Sequence, residues 1–144
     1  MSRTAGTASD FWLVDTSVAV ALVVEDHSAH RSTVQAADGR RLGLAGHAAF
    51  ETFSVLTRLP TPARRTPAAA VRLVIANFPG TKFISPKAGL KLLERLSGLD
   101  IAGGSVYDAL VAAVAEEHGE VLATRDRRAV PTYRKFDVIL EVLE

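Results

Sequence analysis

Short apolar runs and longer segments of helical period alternate along the chain. Phe11 to Val14 is an apolar run that predicts a strand, and Asp15-Thr16-Ser17 then opens an alanine-rich apolar stretch to Val24 that predicts a helix. A helix over His27 to Ala37 follows, ended by Asp38-Gly39. A buried strand is expected over Arg41 to Leu44, and then a helix from His47 to Leu59 that stops before Pro60. Thr66-Pro67 has the form of an N-cap followed by proline at the first helical position, opening a helix that ends near Asn77 to Gly80. Ser85-Pro86 repeats that signal before a helix over Lys87 to Leu96, which Ser97-Gly98 ends, and Lys82 to Ile84 between the two helices predicts a short strand. Helix, strand, helix and strand are then expected at Ser105 to His118, Val121 to Ala123, Arg125 to Lys135 and Phe136 to Leu140.

Strands separated by helices in this way imply an α/β fold with a mainly parallel, five-stranded sheet, because each crossover lays a helix over the sheet. Ligands in such folds gather at the carboxyl ends of the strands. At 144 residues one domain spanning 1–144 is expected, with a flexible polar tail over 1–10. Hydrophobic residues make up 48% and charged residues 23%, the composition of an ordinary globular protein. No apolar run approaches the roughly 20 residues that span a bilayer, and the N-terminal stretch lacks a signal-peptide core, so a cytoplasmic location without membrane attachment is expected. Cysteine is absent, which excludes disulfides, thiolate nucleophiles and cysteine-based zinc sites and leaves chemistry to oxygen and nitrogen ligands.

Four acids stand out within this frame. Asp15 directly follows the first strand, and Asp126, in Thr124-Arg125-Asp126, follows the strand at Val121 to Ala123. Either could be a helix N-cap. Asp108 is the only charge between Val106 and Ala115, where an unpaired carboxylate is costly. Ser105-Val106-Tyr107-Asp108 also fits a capping box. Glu51 lies well inside a helix at the edge of the stripe formed by Ala48, Val55 and Leu59, where an ion pair with Arg58 or a place on an exposed flank would also account for it. Taken together, three acids belong to the expected ligand-binding edge and the fourth to a helix able to face it.

Carboxylates brought together repel, so such a cluster calls for cations or raised pKa values, and hard magnesium or manganese ions suit an all-oxygen site. Magnesium there would activate water and stabilise charge on a phosphodiester. Asp15, Asp108 and Asp126 are then the expected ligands, and Glu51 a ligand or the group that orients the water. Thr16, Ser17 and Thr124 are supporting hydrogen-bonding candidates, although hydroxyls beside helix starts are also common caps.

These residues resemble the motifs of PIN-domain nucleases, and within them the VapC-type toxins of bacterial toxin-antitoxin pairs. Val14-Asp15-Thr16-Ser17 resembles the first acidic motif of the family and Ala49-Phe50-Glu51 its helical glutamate. Gly104 to Leu110, containing Tyr107-Asp108, resembles its third motif and Ala123 to Arg128 its fourth. The resemblance runs from about Leu13 to Leu140. It implies a three-layer α/β/α fold, RNA hydrolysis dependent on magnesium with manganese as a substitute, homodimerisation, and inhibition by a small cognate antitoxin. Ser105 departs from the pattern, since many relatives carry an arginine just ahead of the Tyr-Asp pair.

Two other classes fit parts of the sequence. One is a PIN-like module that binds RNA or a partner without cutting. The other is an aspartate-based phosphotransfer domain, which Ser17 disfavours by standing where a phosphatase of that kind has its second aspartate. Net charge is only +1 but hides arginine clusters, of which Arg64 and Arg65, and Arg125, Arg127 and Arg128, are candidate RNA phosphate contacts. His27 and His30 lack a third nitrogen or sulfur ligand nearby and are expected to be a solvent-facing pair. Phe11 and Trp12 are expected in the core or a dimer contact, and Phe50, Phe53 and Leu56 in the core or in a groove for an antitoxin or second copy.

Overall fold

Four tetrapeptides build the sheet of the computed structural model, which describes residues 9–144. Apart from Ser9 and Asp10, the tail expected over 1–10 lies outside the described residues. The elements run β1 (Phe11–Val14), α1 (Thr16–Val23), α2 (His30–Ala37), β2 (Arg41–Leu44), α3 (His47–Thr57), α4 (Pro67–Asn77), α5 (Pro86–Leu96), α6 (Ser105–His118), β3 (Val121–Thr124), α7 (Val130–Tyr133) and β4 (Ile139–Val142). The strand order is β2-β1-β3-β4 and every pairing is parallel. Successive strand residues face opposite sides of a sheet, and both Leu13 and Val14 are fully buried, as are Leu122 and Ala123. Both faces of the central pair are therefore covered, as a parallel sheet requires.

The sheet has four strands where the sequence pattern predicts five. Lys82 to Ile84 does run along the outer edge of β2, where Gly80 N–H donates to the Leu42 carbonyl (3.0 Å) and Lys82 N–H to that of Leu44 (3.2 Å). Pairing then shrinks to the single Ala45–Lys82 bridge. Pro79 and Gly80 precede this segment, and Ser85 caps α5 through the Ala88 N–H directly after it, so the chain turns into a helix before the pairing can extend. The approach is close. A Cβ on Gly43 would lie 2.1 Å from the Gly80 carbonyl oxygen, so the crossing admits no side chain there.

Three other predicted boundaries move for local reasons. The helix expected over Arg125 to Lys135 is reduced to α7, because Asp126 Oδ1 accepts the Arg128 N–H (3.0 Å) in a turn and Pro131 is tolerated only in the first turn of a helix. The last strand begins at Ile139 rather than Phe136, since Phe136 and Val138 still donate to Tyr133 and Phe136 carbonyls in consecutive turns. Helix α2 starts at His30 rather than His27, whose Nδ1 accepts the Ala29 N–H (3.0 Å). His30 Nδ1 bonds the Ala21 carbonyl at 2.8 Å, joining α2 to α1. The two histidines therefore serve the backbone and are not a free pair at the surface. Trp12 is buried in the core, with the Arg40 guanidinium 4.2 Å above its ring.

Candidate active site at the carboxyl edge of the sheet

The topology makes one crevice at the carboxyl edge. From β1 the chain passes to β2 on one side, while β3 leads to β4 on the other, so the crossovers part between the two central strands. Asp15 N–H donates to the Ala123 carbonyl (3.2 Å), extending the β1–β3 register by one residue and setting Asp15 beside Thr124.

The side chain of Asp15 is 4% exposed and held by four donors. Ser17 Oγ and the Val18 N–H (3.3 Å) donate to Oδ1, while Thr124 Oγ1 and the Tyr133 hydroxyl (2.9 Å) donate to Oδ2. Ser17 Oγ in turn accepts the Arg125 N–H (2.8 Å), and Thr124 Oγ1 accepts that of Asp126 (3.0 Å). Each hydroxyl spends its proton on Asp15 and its lone pairs on the loop after β3, so this network ties that loop to the start of α1. Asp15 is thus an N-cap, as one interpretation of the sequence had it, and at the same time the centre of a buried polar network. Burial pushes its carboxyl above the ordinary carboxylate range in spite of those hydrogen bonds. Burial, followed by the charge of Asp15, pushes the Tyr133 phenol well above its usual value, keeping it a proton donor.

The other three acids approach the same space from separate elements. Thr16 Oγ1 donates to Glu51 Oε1 (2.8 Å), linking α1 to α3. Arg58 instead donates to Ser54 Oγ (3.4 Å), so the ion pair with Glu51 does not form, while Glu51 is exposed, as a flanking position on the helix would have it. Asp126 Oδ1 is engaged by Arg128, through its N–H and at 3.5 Å from its Nε. Asp108 lies in the first turn of α6. The capping box is not realised, because Ser105 Oγ donates to the Ala102 carbonyl and Gly104 is the N-cap without a side-chain bond. The Asp108 carboxyl receives no hydrogen bond from the described residues. Partial burial raises its pKa, and the charges of Asp126, Asp15 and Glu51 raise it further, against a smaller lowering by Arg128. This like-charge coupling places all four acids within one electrostatic neighbourhood.

A cavity of about 170 Å³ lies among them, lined by Asp15, Thr16, Ser17, Glu51, Asp108, Asp126, Val111 and Tyr133. Glu51, Asp108 and Asp126 also line a wider groove of about 760 Å³, together with His47, Phe50, Tyr107, Arg58 and Arg128. The sequence pattern singled out all four acids and all three hydroxyls, but Tyr133, His47 and Tyr107 gave no such signal. The Tyr133 hydroxyl meets a carboxylate 118 residues away, a pairing that no local pattern marks.

The arginines separate. Arg128 lines the groove, whereas Arg64 and Arg65 bond the Leu59 and Ala63 carbonyls in the loop between α3 and α4. Arg125 and Arg127 reach the carbonyl and carboxylate of Glu144. Of the five, only Arg128 stands at the acids' groove.

The donor set suits a hard cation, being wholly oxygen and short of positive charge. No group of three or more His, Asp or Glu side chains among the described residues is arranged to grip a metal ion directly. Magnesium keeps several of its waters and is commonly held by one or two carboxylates, so these residues fit an ion bound largely through water.

Comparison with known proteins agrees with this geometry. The PIN domain family profile matches residues 12–135. Ribonuclease VapC27 of Mycobacterium tuberculosis is 47% identical over 125 residues, which cover 87% of this chain and 91% of that protein. Ribonuclease VapC40 of the same organism is 41% identical over 131 residues, covering 90% and 96%. Among solved structures, VapBC2 from Rickettsia felis bound to a promoter DNA fragment superposes with a TM-score of 0.64 at 15% identity, over 93% of this chain and 99% of that one. VapC20 of M. tuberculosis, a sarcin-ricin loop cleaving toxin, superposes with a TM-score of 0.63 at 20% identity, over 84% and 93%. With a buried aspartate at the β1–β3 edge, three further acids around it and this extent of similarity, the chain belongs to the PIN-domain family, among its VapC-type members.

Proposed function

We propose that this chain is a magnesium-dependent endoribonuclease, one nuclease domain that acts as the toxin of a toxin-antitoxin pair. One observation carries the proposal. Four acids from separate elements surround one cavity, and two of them have raised pKa values, Asp15 through burial and Asp108 through burial and then the charges of the other three acids. Asp15, Asp108 and Asp126 would hold magnesium, or manganese in its place, directly or through water. The bound ion would supply a water of lowered pKa and would offset charge on the phosphodiester.

The chain's own residues supply positioning. Ser17, Thr124 and Tyr133 hold the Asp15 carboxylate still, which spares it reorganisation when charge develops. Thr16 aims Glu51 toward the cavity, where it is placed to orient the attacking water or accept its proton. Arg128, at the groove, is placed to meet the anionic backbone. The names of the relatives, ribonucleases VapC27 and VapC40, support RNA as substrate. VapBC complexes among the structural neighbours support a small antitoxin as partner. The exposed apolar side chains Phe50, Ile75 and Phe83 leave surface for such a partner or for a second copy in a homodimer.

The test is cleavage of total cellular RNA by the purified protein, with magnesium, with manganese and with a chelator. Cleavage is expected with either metal and not with the chelator. Full metal-dependent activity in Asp15→Asn, Asp108→Asn and Glu51→Gln, each verified as folded, would refute this assignment of the site. Growth arrest on induction, relieved by co-expression of the protein encoded beside it, tests the toxin role.

A further inference from the structure

Beside the acids the groove carries aromatic rings that cleavage chemistry does not use. His47, the first residue of α3, and Tyr107, in the first turn of α6, stack with ring centroids 5.0 Å apart and planes inclined by 25°. Both line the groove, and each is tied by sequence to an acid. Tyr107 immediately precedes Asp108, and His47 precedes Glu51 by one helical turn. The stack bridges the two helices that deliver these acids.

Tyr107 remains 55% exposed despite the stack, and Phe50 on the same groove is 66% exposed. Large aromatic surface is ordinarily removed from water when it only packs the fold. Cationic Arg58 and Arg128 line the same groove, so aromatic rings, positive charge and the acids share its walls. That combination is what single-stranded nucleic acid requires, with arginine for the backbone and a ring for each unstacked base.

We propose that His47 and Tyr107 form a base-stacking subsite that receives an unpaired nucleotide next to the scissile phosphate. This rests on the proposed ribonuclease function of the groove. Stacking is tolerant of base identity, since every base has a π-face, so the subsite does not select for a sequence.

The experiment compares wild type, Tyr107→Ala, Tyr107→Phe and His47→Ala. The substrate is a single-stranded oligoribonucleotide containing the site cut by the wild-type protein, with 2-aminopurine beside that site. KM and kcat are measured with magnesium, and binding is followed by 2-aminopurine quenching in an Asp15→Asn background. Tyr107→Ala is expected to raise KM and weaken binding by on the order of tenfold, with the quench lost, a size typical of one stacked base. His47→Ala should give a smaller loss in the same direction, and Tyr107→Phe should retain both quench and KM.

Unchanged quenching and KM in Tyr107→Ala, with cleavage still abolished by Asp15→Asn, would overturn the stacking subsite and leave the ribonuclease function standing. Equal losses in Tyr107→Ala and Tyr107→Phe would also overturn it, since they would assign the effect to the hydroxyl. A wild-type protein that neither cuts nor binds RNA would overturn both.

Discussion

Asp15 and Asp108 meet in one cavity under opposite circumstances. Asp15 is buried at a strand edge and receives four hydrogen bonds from groups fixed in the core and at a helix start. Asp108 is half-buried on a helix, receives none from the described residues, and has three other acids in its field. The first is a carboxylate whose geometry the fold has settled before anything binds. The second is short of partners, and a partner of positive charge is what it lacks. One site thus combines a preorganised anchor with an unsatisfied edge, which is what a weakly held, mostly hydrated cation needs.

The largest expected effects test whether the two acids nevertheless belong to one machine. Asp15→Asn and Asp108→Asn should each lower metal-dependent RNA cleavage by about 100-fold or more, read as kcat/KM. The double variant should lose little beyond the single ones, as groups acting together are non-additive. Two independent, additive losses would separate the two carboxylates functionally.

Next in size is the support of the buried anchor. Tyr133→Phe removes the 2.9 Å donor to Asp15 Oδ2 and leaves the ring in place. A hydrogen bond to a charged acceptor contributes about 1.5 to 3 kcal/mol, so a loss of stability in that range is expected in denaturant unfolding. Magnesium affinity should fall by about tenfold, measured by the metal's effect on Tm. A stability loss with undiminished magnesium affinity would make Tyr133 a packing residue only.

The contrast also shows what a one-dimensional pattern carries. The acids were legible because each sits at a junction that sequence marks: Asp15 after an apolar tetrapeptide, Asp126 after another, and Asp108 alone in an apolar helix. Helix α6 and strands β1 and β2 fall where hydrophobic periodicity puts them, since their ends are set by local signals such as Gly119 in the left-handed region after α6. The missing strand at Lys82 to Ile84 was not legible, because a segment that runs along the edge of β2 and pairs with it at one bridge has the same short apolar pattern as a full strand. Nor was the Tyr133 bond to Asp15, which joins residues 118 apart. Capping is decided by contacts beyond the local pattern. It proves real for Asp15 and absent for Asp108, since a Ser-x-x-acid pattern cannot say whether the serine will turn back to Ala102.

A smaller effect follows from the raised pKa of Asp108. Its folded value lies above the unfolded one, so the native state binds more protons across that interval. The stabilisation is fully present below the ordinary carboxylate pKa and is lost as pH rises through the raised value. At neutral pH in metal-free buffer the ionised group is therefore a net cost, and Asp108→Asn should raise Tm by roughly a few degrees. That gain should vanish at acidic pH, where the wild type is protonated, and shrink when magnesium is added. A Tm difference independent of both pH and magnesium would deny Asp108 its place on the unsatisfied edge.

The smallest effect concerns the rim of the groove and separates arginines that composition alone makes equivalent. Arg128 lies beside Asp126 at the groove, while Arg64 is engaged with the Leu59 carbonyl in a loop that does not line it. Each phosphate contact to a single strand contributes about 0.7 to the slope of log affinity against log salt. Arg128→Ala should therefore weaken binding of a single-stranded oligoribonucleotide severalfold at low salt and flatten that slope by about 0.7, whereas Arg64→Ala should leave both unchanged. Arg128 also offsets part of the negative charge around Asp108, so its removal should push the Asp108 pKa up further and make metal binding more favourable while RNA binding weakens. Opposite signs for the two ligands would mark Arg128 as the residue that balances the acids against the anionic substrate. Equal losses in Arg128→Ala and Arg64→Ala would instead make attraction to RNA a property of the whole surface.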